Sequence, residues 1–348
     1  MAKFVLYKSK VINQYTLVKE KADLISYSFK TNQEVGKILE EDTDCFFSIH
    51  SFKSLDFIKD KKRVWFFAQA WDKNEIETLF SIGVNSFVVD NLKDLELLLK
   101  AIKEKNIRIN LLLRMRLKEH SIHTGKHFVF GMYSDTINNK IEEITEDKKL
   151  KEKIDKLGIN FHRKTQNVSE WNLKQELEDI LDKKTLQNID YINIGGGLPS
   201  VYKNFTSDTI NEIFDKIKET KEWLNKNNIK IIIEPGRFIA APCIELETKI
   251  KNIYDNNIIV DASIYNGAMD TFIANIRLLV KDELTVKDKD VQPYTIKGCT
   301  PDSLDIFRYR VYLKDSKIGD KITFLNAGAY NFHTYFCNLS KIKTEIRK

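Results

Sequence analysis

The alternation of apolar and polar positions divides the chain at about residue 240. Before that point, short β-branched or aromatic runs alternate with longer stretches of helical period. The runs lie at Leu24 to Lys30, Cys45 to His50, Val64 to Ala68, Ser86 to Val89, Ile107 to Arg116, Ile159 to His162, Tyr191 to Ile194 and Ile229 to Ile233. Amphipathic spacers such as Leu92 to Lys103 separate them, and a helix-like stretch around Ile12 to Lys21 precedes the first. The connection from Leu117 to Leu157 is long, polar and Lys/Glu-rich, with Phe130-Gly131 reading as a local turn. Strand–helix alternation implies a parallel sheet, and eight such units imply closure into a (β/α)8 barrel over residues 11–240.

Beyond Ala240 the runs follow one another without helical spacers. Cys243 to Ile250, Ile258 to Ala262, Val291 to Lys297, Phe307 to Leu313 and Ile322 to Asn326 predict an antiparallel β domain over 241–348, with turns at Gly298 and Gly319. The strand-like Phe4-Val-Leu-Tyr7 assigns residues 1–10 to the same domain. The expected fold class is therefore α/β, a TIM-type barrel with a C-terminal β domain. A chain of 348 residues fits that plan, since a barrel takes roughly 250 residues.

Composition narrows the function classes. No apolar run reaches the roughly 20 residues that span a bilayer, and Met1-Ala-Lys-Phe-Val-Leu-Tyr lacks the layout of a signal peptide, so a soluble, cytoplasmic protein without a membrane partner is expected. The net charge of +6 comes from 56 basic and 50 acidic residues dispersed over helical faces. No basic block is interleaved with aromatics, which argues against a nucleic-acid partner. Cys45, Cys243, Cys299 and Cys337 show no CxxC spacing, so neither a metal site nor a disulfide framework is indicated.

Candidate chemistry gathers at the C-terminal ends of the barrel strands, where such barrels keep their active sites. Tyr191-Ile-Asn-Ile-Gly-Gly-Gly-Leu198 and Ile229-Lys-Ile-Ile-Ile-Glu-Pro-Gly-Arg237 are the seventh and eighth strands, each breaking into glycine or proline. The loops there commonly form a phosphate cup, because glycines let backbone N–H groups approach an anion. Lys30 closes the first strand; beside such a cup it suggests a Schiff base to pyridoxal phosphate, since burial frees the nucleophilic amine. Arg114 lies late in the fifth strand and His162 ends the sixth, where an imidazole can stack on a flat ring while Thr165 helps hold a phosphate. Glu234 ends the eighth strand. It either pairs with Arg237 or meets a pyridine nitrogen, whose protonated form withdraws electrons from a breaking bond.

Tyr-Ser-Phe-Lys-Thr-Asn, Ile-Asn-Phe-His, Ile-Gly-Gly-Gly-Leu, Glu-Pro-Gly-Arg-Phe, Gly-Cys-Thr-Pro-Asp-Ser-Leu-Asp and Gly-Ala-Tyr follow one another along the chain. In that order they resemble the ornithine/arginine/diaminopimelate decarboxylases, a pyridoxal 5'-phosphate-dependent family with an alanine-racemase-like barrel and a β domain (fold type III). The resemblance implies that Lys30 is the Schiff-base lysine, that His162 stacks on the cofactor ring and that Glu234 binds its pyridine nitrogen. It assigns the phosphate to Gly195, Gly196, Gly197, Thr165 and the Gly236-Arg237 turn, with Tyr330 adding a hydroxyl. It further implies a homodimer with shared active sites, in which Asp302 reaches into the partner's barrel to bind the distal amine of a basic substrate.

Two departures from the family pattern stand out. Pro301 occupies the place of a cysteine that reprotonates the α-carbon; Cys299, two residues earlier, is an alternative donor only if this loop is reshaped. Ser48 stands where an acidic residue is common near the cofactor. The second substrate contact falls on Asp270, Asn275 or Arg277. The expected activity is decarboxylation of a basic amino acid, ornithine, lysine or arginine, in polyamine-type metabolism. Diaminopimelate or carboxynorspermidine decarboxylation and an inactive regulatory homologue are the alternatives. A racemase on this scaffold would place arginine at the pyridine nitrogen, where this chain has Glu234.

Overall fold

The computed structural model describes residues 1–117, 130–164, 166–167, 170–206, 208–285, 291 and 293–348. They cluster into two compact units, one formed by 16–198 with 209–235, the other by 1–15, 199–208 and 236–348.

The first unit is the expected barrel. After β1 (Lys3–Tyr7), which belongs to the second unit, come β2 (Leu24–Ser28), β3 (Phe46–Ile49), β4 (Val64–Ala68), β5 (Ser86–Val89), β6 (Ile109–Arg114), β7 (Ile154–Asn160), β8 (Tyr191–Asn193) and β9 (Lys230–Ile233). These eight pair in parallel in chain order, and β2 with β9 completes the closed ring. Side chains alternate across a strand, so every second residue points inward. Trp65, Val88, Leu112 and Ile232 form a buried apolar plug, with Leu24, Phe46, Phe67 and Tyr191 packed against it. Ser26, Ser48, Asn160 and Asn193 are buried polar residues on four of the strands.

The structure departs from the sequence expectation within this unit: β7 starts at Ile154, earlier than read, and Glu234 lies just past β9 rather than in it. The polar 117–157 connection contains a helix, Ser134–Glu146, whose Ile137, Ile141 and Ile144 are buried. Lys30 lies past the end of β2, in a 3-10 turn at Phe29–Thr31. His162 lies two residues beyond β7.

The second unit is an eight-stranded sheet. Its strands are β1, β10 (Ile244–Tyr254), β11 (Asn257–Val260), β12 (Leu279–Val280), β13 (Pro293–Lys297), β14 (Ile306–Tyr312), β15 (Lys321–Leu325) and β16 (Lys343–Arg347). The long β10 organises it, pairing antiparallel with β1, β11 and β15, but β1 with β16 and β11 with β13 run parallel, so the sheet is mixed rather than antiparallel as expected. Stacking of Phe307 on Phe324, with centroids 4.6 Å apart, marks its core. The two-residue β12 and the exposed, polar β16 carry no alternating pattern and escape the sequence reading.

Candidate active site

Lys30 is held by its neighbours. Phe29 and Thr31 are buried, and the Phe29 ring meets Phe47 edge-on at 6.1 Å. The next helix starts immediately, because the Asn32 side chain accepts from the N–H groups of Glu34 and Val35 at 3.1 and 3.2 Å. The Lys30 amine reaches solvent at the open end of the barrel but is crowded enough that its pKa is lowered. Desolvation is the main cause; Glu234 opposes the shift and Arg114 adds to it.

Glu234 follows β9 and is 5% exposed. Ser48 Oγ donates to its Oε1 at 2.7 Å, and Asn193 Nδ2 donates to the same oxygen at 3.0 Å. Burial raises its pKa against the pull of these two donors, Lys30 and Arg114. Arg237, the other partner the sequence offers for Glu234, is paired with Asp270.

His162 accepts the Gly196 N–H at Nδ1, 3.2 Å away, which orients the ring and requires that nitrogen to be unprotonated. The ring is exposed at the open end of the barrel but crowded by protein atoms, and desolvation, with Lys30 and Arg114 as further causes, lowers its pKa to about 4, which favours the neutral imidazole. Arg114 Nη1 binds Asp90 at 3.0 Å, and its guanidinium lies 5.0 Å from the Phe130 ring centroid. A cavity of about 290 Å³ beside them is lined by His50, Phe67, Gln69, Glu75, Asp90 and Arg114 among others. His50 stacks on Phe67 at 4.7 Å; it is exposed but crowded at the pocket wall, and desolvation, then Lys30, Arg114 and His162, lower its pKa to about 3.

The glycine turn after β8 is required by its surroundings. Gly195 and Gly197 have φ of +69° and +100°, and a Cβ at Gly195 would lie 2.3 Å from the Phe161 carbonyl oxygen. The turn's N–H groups are not equivalent. Gly195 donates to Asn193 Oδ1 at 2.9 Å and Gly196 to His162, while the Gly197 N–H has no acceptor among the described residues and is the one open to an anion. Thr165 lies outside the described residues.

The remaining candidates lie in the sheet unit. The Arg237 guanidinium is buried, bound by both carboxylate oxygens of Asp270 and by Tyr202 Oη at 3.0 Å, with the Tyr330 ring 5.3 Å from it. Gly236 precedes it as the residue before a short helix. Asp302 accepts through Oδ1 from Tyr265 Oη (2.9 Å) and from the Leu304 N–H (2.8 Å), leaving Oδ2 without a partner among the described residues. Cys299 is exposed, and desolvation followed by Asp305 raises its thiol pKa. The 298–305 loop is pinned on Asp305, whose carboxylate takes the Ile264 and Thr300 N–H groups. Asn275 is exposed with φ of +51°, its carbonyl bound by Asn204.

Sequence reasoning thus picked out the strand ends at which these side chains gather but passed over Asn193, His50 and Asp90. Strand alternation could have found the first two. Asn193 lies two residues before Gly195, and His50 shares a face with Ser48.

These groups suit pyridoxal phosphate: an amine whose charged form is disfavoured, a buried carboxylate, a neutral oriented imidazole and a glycine turn with one open N–H. A closed (β/α)8 barrel with this set at its open end, joined to a β domain, defines a pyridoxal-phosphate enzyme of the alanine-racemase-like class. Residues 10–241 match the pyridoxal binding domain of the pyridoxal-dependent decarboxylases, and residues 201–328 match their C-terminal sheet domain. The chain belongs to this family, and its cofactor is pyridoxal 5'-phosphate.

It is 23% identical over 335 residues to a probable ornithine decarboxylase of Dictyostelium discoideum, covering 87% of this chain and 69% of that one. To a diaminopimelate decarboxylase of Staphylococcus aureus it is 25% identical over 337 residues, covering 88% and 76%. The lysine/ornithine decarboxylase of Vibrio vulnificus, solved with cadaverine, superposes with a TM-score of 0.79 at 20% identity over 100% of this chain and 95% of that one. At that identity the last likeness shows the shared fold. Among the described residues, no helix is long and apolar enough to cross a membrane.

Proposed function

We propose that the chain is a homodimeric decarboxylase of a basic amino acid, with ornithine, lysine or arginine preferred, releasing the corresponding amine for polyamine-type metabolism. The names of its relatives divide between ornithine or lysine and diaminopimelate. The observation that carries the preference is the unpartnered Oδ2 of Asp302, a carboxylate oxygen available to a distal ammonium. Exposed Phe272, Ile273, Leu304, Tyr335 and Phe336 on the same unit support a second copy as partner, because apolar surface of this kind marks association.

When bound, pyridoxal phosphate supplies the electron sink that decarboxylation needs. Lys30 would bind its aldehyde, and Glu234 would accept a hydrogen bond from its ring nitrogen and so favour the protonated ring. His162 would pack on the ring face, and the Gly197 N–H would meet a phosphate oxygen. Pro301 has no proton to give, so we assign reprotonation of the α-carbon to Cys299, an exposed thiol that serves only with its loop reshaped. Cys299→Ala should lower kcat about a hundredfold with bound cofactor unchanged. Turnover at the wild-type rate would remove Cys299 from the mechanism.

The substrate reading is tested by amine release from L-ornithine, L-lysine, L-arginine, carboxynorspermidine and meso-diaminopimelate. One of the first three should show the highest kcat/KM. Asp302→Asn should cost that substrate about a hundredfold, mostly in KM, because a charge pair is lost. A second reading rests on Arg277, a half-buried guanidinium with no carboxylate partner among the described residues, which suits the distal carboxylate of diaminopimelate. Release from diaminopimelate alone, lost in Arg277→Ala, would replace the first reading with this one.

A further inference from the structure

The two donors to Glu234 both meet Oε1, and Oε2 makes no hydrogen bond among the described residues. Each donor is itself fixed. Ser48 and Ser26 are fully buried with their hydroxyls 2.8 Å apart. A carboxylate only accepts, so the single Ser48 proton goes to Glu234 and Ser26 must donate to Ser48. Asn193 is fully buried as well, and its Oδ1 accepts the Gly195 N–H at 2.9 Å, which turns its NH2 toward Glu234. A directed chain therefore runs from Ser26 through Ser48 to Oε1, and a second from the glycine turn through Asn193 to the same atom.

We propose that Ser48 is a positioning residue: with Ser26 behind it and Asn193 opposite, it anchors one oxygen of Glu234 in its charged form, so that the other oxygen alone is presented to the cofactor's ring nitrogen. The inference rests on the role given to Glu234 above. A hydroxyl suits this place better than a carboxylate. An aspartate at 48 would put two like charges at contact distance, and one of them would have to take a proton. Hydrogen bonds to the charged form favour that form, so Ser48 and Asn193 act against the burial that raises the Glu234 pKa.

Removing a donor weakens the carboxylate form, so Glu234 protonates at higher pH. The test follows the visible absorbance of the bound cofactor against pH, and pyridoxal phosphate affinity by tryptophan fluorescence, in holoenzyme and reconstituted apoprotein. In Ser48→Ala the acidic limb of the absorbance profile should move up by about one pH unit, a tenfold change in the proton equilibrium, and affinity at pH 7 should fall about tenfold. Ser48→Thr, which keeps the hydroxyl, should restore both. Ser26→Ala should move the limb in the same direction by less.

A lowered melting temperature of Ser48→Ala with an unmoved limb would mean that Ser48 only packs, and would overturn the proposal. Glu234→Gln is the control. It should lack the limb, and adding Ser48→Ala to it should then leave the profile unchanged. A limb that persists in Glu234→Gln would instead overturn the assignment of Glu234 on which the proposal rests.

Discussion

Lys30→Ala should abolish borohydride-stable attachment of the cofactor and lower kcat/KM by about a thousandfold, since the residue proposed to hold the cofactor and to take it back after each turnover is gone. Peptide mapping of the reduced wild-type protein should place the modification on Lys30. The turn at Phe29–Thr31 is held by its two buried flanking residues, and the following helix is capped by Asn32, so the alanine variant keeps its local fold. Loss of turnover with retained structure is therefore the expected pair of results. A variant that still carries cofactor through another borohydride-stable lysine would remove Lys30 from its role.

The same residue predicts a pH dependence. Only the uncharged amine attacks an aldehyde, and desolvation together with Arg114 lowers the Lys30 pKa from the ordinary 10.5. Covalent loading of apoprotein should therefore accelerate with rising pH and level off below the pH at which free lysine side chains react fully. A plateau displaced above 10.5 would mean that the Glu234 charge, which opposes the shift, outweighs burial.

How much of this could be read from the chain depends on whether the signal was local. The barrel strands were legible because their apolar runs are short, β-branched and repeated, and Lys30, His162 and Glu234 were legible because each ends or follows such a run. The helix at Ser134–Glu146 has its buried isoleucines at helical spacing, but the surrounding lysines and glutamates conceal a stripe of three residues. Contacts between distant positions carried no local signal. Ser48 and Glu234 are 186 residues apart, and Arg237 and Asp270 are 33 apart. The resemblance pointed to Ser48 as a missing acid; only the geometry shows that its hydroxyl binds the carboxylate directly. The glycine turn was recognised as a unit, yet two of its three N–H groups serve Asn193 and His162, a division that depends on which side chains fold back onto it.

Glu234→Gln should separate catalysis from stability. An amide cannot favour the protonated ring as a carboxylate does, so kcat should fall by about two to three orders of magnitude, in the range found when one preorganised electrostatic partner is removed. The apoprotein should respond the other way. Burial holds the Glu234 pKa above the ordinary carboxyl value of 4.5, so the folded chain binds this proton more tightly than the unfolded chain does. Above 4.5 the unfolded carboxyl is ionised while the folded one resists, and the native state loses stability until pH passes the folded pKa. Glutamine carries no such penalty, and its side-chain oxygen can still accept from Ser48 and Asn193. Melting temperatures of the two apoproteins should thus coincide below pH 4.5, with the glutamine variant ahead by a few degrees at pH 8. A glutamine variant that melts lower than wild type at pH 8 would show that Ser48, Asn193, Lys30 and Arg114 together make the charge favourable in the fold. The site would then be built around an ionised carboxylate even before the cofactor arrives.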